Sequence, residues 1–153
     1  MIYTIDNMVK SIALMLSGKW NTIPVYDSPT QQGVEFPCFF VFLTPSNLSD
    51  EVDDRAKREL NFDVVYVQAR NAPNANAEIY SIADGLDTLL DYVQYTDGEN
   101  TVPIHTHDRA YSIEDQELHY KFRMIARVSL PYTATPMQEL EENDVEIKET
   151  KET

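Results

Sequence analysis

The first regular apolar pattern in the chain predicts an amphipathic helix over about residues 5–17. Thr4, just before the pattern, is a suitable N-cap, and Gly18 stands where a left-handed residue commonly ends a helix. The spacings between apolar residues alternate between three and one, which places all six on one helical stripe. These residues are Ile5, Met8, Val9, Ile12, Ala13 and Leu16.

A second apolar stripe begins after Pro73 and predicts a second helix, which continues until Asp97-Gly98. Gly85 lies beside this stripe, where glycine costs up to about 1 kcal/mol relative to alanine. It either admits a close neighbour, from the sheet or the first helix, or is merely tolerated. The stripe consists of Ile79, Ile82, Ala83, Leu86, Leu89, Leu90 and Val93.

Other stretches have the patterns of β-strands. Val25-Tyr26 predicts a short strand, and residues 60–66 and 118–130 alternate apolar with other side chains, which is typical of a strand with one buried face. Residues 38–43 are apolar at both parities. A strand of that kind is covered on both faces, so it needs a second cover from another element or from another subunit.

The order of these elements predicts the fold class. Residues 38–66 form a long hairpin with a charged tip, and residues 111–130 form a second hairpin that turns at Glu114-Asp115-Gln116. With the helices, this order predicts an α+β domain. We expect a mainly antiparallel sheet of four to five strands with two helices packed on one face, within residues 1–135.

Residues 136–153 form an acidic C-terminal arm. They contain seven acidic residues and two lysines, a net charge of −5. Such a segment cannot bury enough apolar surface to order itself alone. We therefore expect a surface outside the domain to hold the arm, with Val145 and Ile147 as the contacts.

The composition excludes some classes of protein. The chain has 153 residues, of which 42% are hydrophobic and 25% charged, as in one globular domain. A formal charge of −14 argues against tight nucleic-acid binding, which needs a basic surface. The single cysteine excludes an intrachain disulfide. No apolar run reaches about 18 residues and no secretory pattern is present, so we expect no membrane span and a cytosolic origin.

Candidate residues for catalysis or metal binding are few. His105 and His107 would point to one side of a strand and could share a zinc ion, but His119 has no defined spacing from them. Cys38 lies in an apolar run, which is typical of an inert buried thiol. Acidic residues 50–54 lack the glycine and distal glutamate of a calcium loop. We therefore predict no metal, no cofactor and no enzymatic activity; the alternative is a metal-dependent enzyme or sensor centred on His105 and His107.

The basic residues are unevenly placed. Six of the twelve lie in two short stretches: Arg55, Lys57 and Arg58, and then Lys121, Arg123 and Arg127. One interpretation is a solvated sheet face, because surface charges usually contribute little. The other is a docking surface for an acidic partner or for another copy of the chain, and head-to-tail contacts of that kind generate rings or filaments. In that hypothesis Phe39, Val41 and Leu43 form part of a subunit contact.

Several stretches resemble the tail terminator, or collar, proteins of long-tailed phages and phage-tail-like bacteriocins. The resemblance is to the small-terminator branch common in Gram-positive hosts, and it covers about residues 1–132. The arm is not part of the pattern. The matching stretches are Tyr26-Asp27, residues 32–41 (Gln-Gly-Val-Glu-Phe-Pro-Cys-Phe-Phe-Val), Arg55 with Lys57-Arg58, residues 62–66 and residues 77–92.

The resemblance implies a structural subunit of a six-fold ring at the head-proximal end of the tail tube, with no catalytic residues. Such a ring stops tube polymerisation and contacts the neck, a cap or, in contractile particles, the last sheath ring. The implied partners are further copies of the chain, tube and sheath proteins and a head-completion protein, in a virion or headless tailocin made in the host cytoplasm. Another neck or head–tail joining component is the alternative.

Overall fold

The secondary structure follows the apolar patterns and adds one strand. The computed structural model describes residues 3–28, 33–73 and 75–129. In chain order these residues form α1 (Ile5–Lys19), β1 (Val25–Tyr26), β2 (Cys38–Asp50), β3 (Arg55–Val67), α2 (Ala75–Leu89), β4 (Tyr92–Thr96), β5 (Thr101–Glu114) and β6 (Glu117–Ser129).

The strands form one mixed sheet in the order β1-β2-β3-β6-β5-β4. Only the β1–β2 pair is parallel among the described strands, and the other neighbours are antiparallel. The predicted α+β class with a mainly antiparallel sheet is confirmed, but the predicted number of four to five strands is wrong, because the described residues form six. The extra strand is β4.

The helical stripe of the sequence continues into β4, so the apolar pattern alone does not reveal this strand. The helix α2 ends at Leu89, and Val93 lies on β4 with its side chain buried. A spacing of four residues satisfies the helical and the strand period alike, so Val93 fits both patterns. The aromatic and β-branched residues of Tyr92–Thr96 favour the strand.

The core lies between the sheet and the two helices. On α1, Met8, Ile12 and Leu16 are fully buried, and α2 buries Ile79 and Leu86 to the same extent. The facing sheet residues come from one parity of each long strand, as the alternation predicts. Burial of each such side chain contributes about 1.5–3 kcal/mol. The facing residues include Phe39, Val41, Leu60, Phe62, Val64, Tyr66, Leu118, Tyr120, Phe122 and Met124.

The two ends of α1 differ in how well the sequence predicted them. At the N-terminus, the Oγ1 of Thr4 accepts a hydrogen bond from the Asn7 backbone N–H at 3.2 Å, as expected of an N-cap. At the C-terminus, Gly18 is not the cap, because the helix continues to Lys19. The backbone N–H of Trp20 closes the last turn on the Leu16 carbonyl at 2.9 Å.

Gly85 admits a close neighbour, and that neighbour is the residue that caps α1. A Cβ atom at position 85 would lie 2.6 Å from Cζ2 of the Trp20 ring, which is too short for an ordinary contact. The same ring packs against Phe39, with centroids 5.2 Å apart. Gly85 therefore lets the end of α1 seat on α2 and on the sheet.

The second cover of the apolar strand comes from the chain itself. Cys38 and Phe40 on β2 and Val65 on β3 are buried on the sheet face away from the helices. Tyr26 of β1 and Val34, shortly before β2, pack against this small second core and cover it. The alternative of another element, rather than another subunit, is thus the correct one for residues 38–40.

The C-terminal arm, with Val145 and Ile147, and the domain boundary after residue 135 lie outside the described residues. Within the described residues, neither helix is long and apolar enough to cross a membrane.

Candidate interaction surfaces

The six basic residues divide between the two faces of the central strands. Even-numbered residues of β3 and β6 face the helices and odd-numbered residues face away, on what we call the open face. Arg58 is therefore separated from its sequence neighbours, and its Nη1 donates to the Tyr3 carbonyl at 3.0 Å, beside the start of α1. The open face carries the other five: Arg55, Lys57, Lys121, Arg123 and Arg127.

Three of the open-face cations are already paired. The Nζ of Lys57 lies 3.1 Å from the Glu59 carboxylate, and the Nη1 of Arg123 lies 3.9 Å from it. The hydrogen bond from Lys57 is the main reason that the pKa of Glu59 is lowered. Arg123 also lies 2.9 Å from Asp108, and Arg127 lies 3.1 Å from Glu51. Because of these ion pairs, the three cations have little unpaired positive charge with which to attract a partner.

Arg55 and Lys121 are the open-face cations without an ion pair to any described residue, and both are exposed. Arg55 begins β3, next to the charged hairpin tip, and Lys121 lies opposite Asp63 near the middle of β6. A cation that is free in the isolated chain can form a new ion pair without breaking one. These two residues are therefore the strongest basic candidates for a contact.

The predicted apolar contact residues do not share one environment. Phe39 and Val41 are 0% and 2% exposed, inside the core of the chain itself, whereas Leu43 is 41% exposed. Two further exposed apolar residues follow in the same hairpin, Leu48 at 47% and Val52 at 79%. Because Phe39 and Val41 are held in the chain's own core, the apolar surface of the β2–β3 hairpin begins at Leu43.

The outer edge of β2 is largely unpaired within the described residues. β1 pairs only with Phe39 and Phe40, so on this outer side residues 41–50 have no described strand beside them. A register shift between Thr44 and Asn47 interrupts the pairing with β3 around Pro45. Bulges and prolines are common devices that keep an exposed edge from indiscriminate pairing. This edge is therefore open to a specific neighbour and protected against uncontrolled ones.

The histidines do not form a metal site in the described part of the chain. His105 and His107 lie on β5 with ring centroids 5.2 Å apart, and His105 is 3.7 Å from Asp91. No three His, Cys, Asp or Glu residues among those described are grouped to hold a metal ion. His119 instead lies 3.0 Å from Asp63 and 3.4 Å from Glu117. Sequence reasoning missed this cluster, although strand parity places all three residues on the open face.

Cys38 has the character expected of an inert thiol. It is fully buried, and burial is the main cause that raises its pKa to about 11. A thiol with so high a pKa is almost entirely protonated at neutral pH and is a poor nucleophile.

Comparison with known proteins gives one family match and a set of weak structural similarities. No curated protein matches the sequence. A solved structure titled "Virion of native gene transfer agent (GTA) particle" is 17% identical, with a TM-score of 0.46, covering 80% of this chain and 89% of that chain. A second is 14% identical, with a TM-score of 0.41, covering 86% of this chain and 99% of that chain.

The family match covers most of the chain. The phage tail terminator protein family matches residues 7–134, from the first turns of α1 to beyond the end of β6. Every helix and strand described above lies within the match except the first two residues of α1. The chain therefore belongs to the phage tail terminator family, whose members are structural, non-enzymatic proteins of the virion tail.

Proposed function

We propose that the chain is the subunit of a ring, with six-fold symmetry, that caps the head-proximal end of the tail tube. The family match over residues 7–134 carries this proposal. The ring stops tube polymerisation and presents a surface to the neck or, in a contractile particle, to the last sheath ring. The partners are further copies of the chain, tube and sheath proteins, and a head-completion protein where a head exists.

The surfaces of the single chain support assembly. Leu43, Leu48 and Val52 expose apolar area on one hairpin, and the β2 edge beside it is unpaired within the described residues. If these features contact a different surface of the next copy, rather than the same features on it, the head-to-tail contact repeats and can close into a ring. We assign the subunit contact to Leu43 and Arg55, with Lys121 and the paired cations Lys57, Arg123 and Arg127 facing a neighbour or the tube.

The net charge of −14 supports a passage for DNA rather than a grip on it. An acidic wall repels the phosphate backbone, so DNA can move through a ring of such subunits without being held.

The test is electron microscopy of particles assembled without this protein. We expect tails of uncontrolled length, because nothing would stop the addition of tube subunits. Tails of normal length that fail to join heads would instead show a joining component. Normal tails on normal particles would show that the protein has neither role.

A further inference from the structure

A groove runs between α1 and the edge of the sheet. It consists of two adjoining cavities of about 280 and 330 Å³, both bordered by Lys10, Ala13 and Val25. Its floor is apolar, from Val9 and Val41, and Leu14 on the outer wall is 62% exposed. We call this the α1–β1 groove. An apolar trough with an exposed leucine at its rim is suited to apolar side chains from outside the domain.

The sheet edge beside the groove is also incomplete. β1 is two residues long, and among the described strands it pairs only with the start of β2. Backbone groups that have no strand beside them accept an added strand, while apolar pockets next to the edge select alternate side chains of that strand. The groove and the edge together therefore fit an extended segment with apolar residues two positions apart.

The arm contains a segment of that kind. In residues 144–148, Val145 and Ile147 alternate with Asp144, Glu146 and Lys148. In an extended conformation the two apolar side chains point to one side and the charged ones to the other. Lys10 and Asp27 both border the groove, and Lys10 is already paired with Asp6 at 2.7 Å, so Asp27 is the charged group there that can attract Lys148 of the arm.

The length of the arm allows it to leave its own domain. The last described residue, Ser129, ends the central strand β6 opposite Arg55. Residues 130–144 can span about 50 Å when extended, at about 3.3 Å per residue. The long strands of the sheet, at 13 residues, measure about 43 Å by the same rise. The arm can therefore reach a copy that lies beside its own.

We propose that the α1–β1 groove of each copy binds residues 144–148 of a neighbouring copy, with Val145 and Ile147 in the groove. This contact rests on the proposed ring, in which every copy has a neighbour. Each copy then offers one arm and one groove, so the exchange leaves no groove empty when the ring closes.

The test is a disulfide between two differently tagged full-length variants, Ala13→Cys and Val145→Cys, mixed and allowed to assemble. Ala13 lines both cavities, so a cysteine there faces the bound arm. Cys38 is fully buried and does not compete. With the two variants mixed in equal amounts, we expect about half of the copies to form a bond between the two tags, because only about half have the complementary variant at the neighbouring position. Tyr80→Cys, on the exposed surface of α2, is the matched control and should react at least about tenfold more slowly with Val145→Cys, because the arm is not held beside it.

Native mass spectrometry on the same samples separates the two proposals. A ring without the bond between tags overturns the arm contact and leaves the proposed function standing. A bond only within single chains of the double variant Ala13→Cys/Val145→Cys also overturns it, since the arm then binds its own groove. Absence of a ring overturns both.

Discussion

At the scale of single residues, two buried tyrosines connect the sheet to α2. Tyr66 donates to Glu78, and Tyr120 donates to Asp87 at 2.5 Å. Both rings are at most 1% exposed, so each hydroxyl reaches a carboxylate from inside the core. Burial raises the pKa of both phenols well above the ordinary value of 10.0, and the hydrogen bonds to the carboxylates raise it further.

This environment predicts a loss of stability at alkaline pH. Between the ordinary pKa of 10.0 and the raised pKa of the folded state, the unfolded chain releases protons that the folded chain retains. The free energy of unfolding should therefore fall as pH rises above 10, by at most about 1.4 kcal/mol per pH unit for each tyrosine. Urea unfolding of Tyr120→Phe across this range should show a correspondingly shallower fall than the unmodified protein.

The control for that measurement is Tyr111→Phe. Tyr111 is 54% exposed and stacks on Tyr120, so Tyr111→Phe removes an exposed hydroxyl from the same ring pair and leaves the buried one in place. Equal slopes for the two variants would show that the buried hydroxyl of Tyr120 does not cause the effect.

At the scale of the elements, the contact between the end of α1 and α2 depends on one missing side chain. Gly85 leaves room for the Trp20 ring, and Trp20 in turn packs on Phe39 of β2. A helix, its cap residue and a central part of the sheet thus meet at one point. The sequence predicts either that Gly85 admits a close neighbour or that it is merely tolerated. The position of the Trp20 ring shows that the first alternative is correct.

Gly85→Ala should destabilise the protein by about 1–2 kcal/mol. Alanine favours the helix by up to about 1 kcal/mol, but its Cβ would overlap the Trp20 ring, and overpacking of a fixed ring costs more. Urea unfolding measures the difference.

Gly18→Ala is the matched control for Gly85→Ala, because it makes the same change in the other helix. A Cβ at position 18 meets no atom within 4 Å, so this variant should gain about 0.5–1 kcal/mol. If the two variants changed stability in the same direction, the close approach of Trp20 would not be the cause.

At the scale of the whole molecule, charge is distributed by the two faces of the sheet rather than by sequence clusters. The chain places Arg55, Lys57 and Arg58 close together in sequence. Arg58 nevertheless donates a hydrogen bond to the Tyr3 carbonyl beside α1, while the other two lie on the open face. Most cations of that face are neutralised locally, by Glu51, Glu59 and Asp108. The unpaired positive charge of the open face is therefore small, and it lies at Arg55 and Lys121.

Charge reversal at Arg55 should weaken assembly without weakening the fold. Arg55 is exposed and has no ion pair to a described residue, so Arg55→Glu breaks none of the described ion pairs. We expect native mass spectrometry to show a smaller fraction of ring at equal concentration, because a contact that attracts an acidic neighbour becomes repulsive.

Arg70→Glu makes the same charge change at another exposed arginine without a described ion pair, past the opposite end of β3, and serves as its control. If both variants lost ring to the same extent, net charge rather than the position of Arg55 would be responsible. An unchanged ring in Arg55→Glu would remove Arg55 from the interface.

The local periodicities already specified much of the fold. The stripe of α1, its N-cap at Thr4 and the alternation of β6 are properties of neighbouring residues, so they could be predicted without knowing what packs against them. Three other features depend on contacts between distant segments. The extent of β4 depends on its pairing with β5. The second cover of Cys38 and Phe40 depends on Tyr26 and Val34, and the role of Gly85 depends on Trp20.

The candidate surfaces divide in the same way. Residue type and spacing made Leu43 and Arg55 candidates for a contact, but spacing along the chain cannot tell which cations will meet a carboxylate on the next strand. That pairing is set by register across the sheet, which joined Lys57 and Arg123 to Glu59 and left Arg55 and Lys121 free of described ion pairs. Local patterns thus decide which elements form, and only the packing of distant elements decides which side chains remain for a partner.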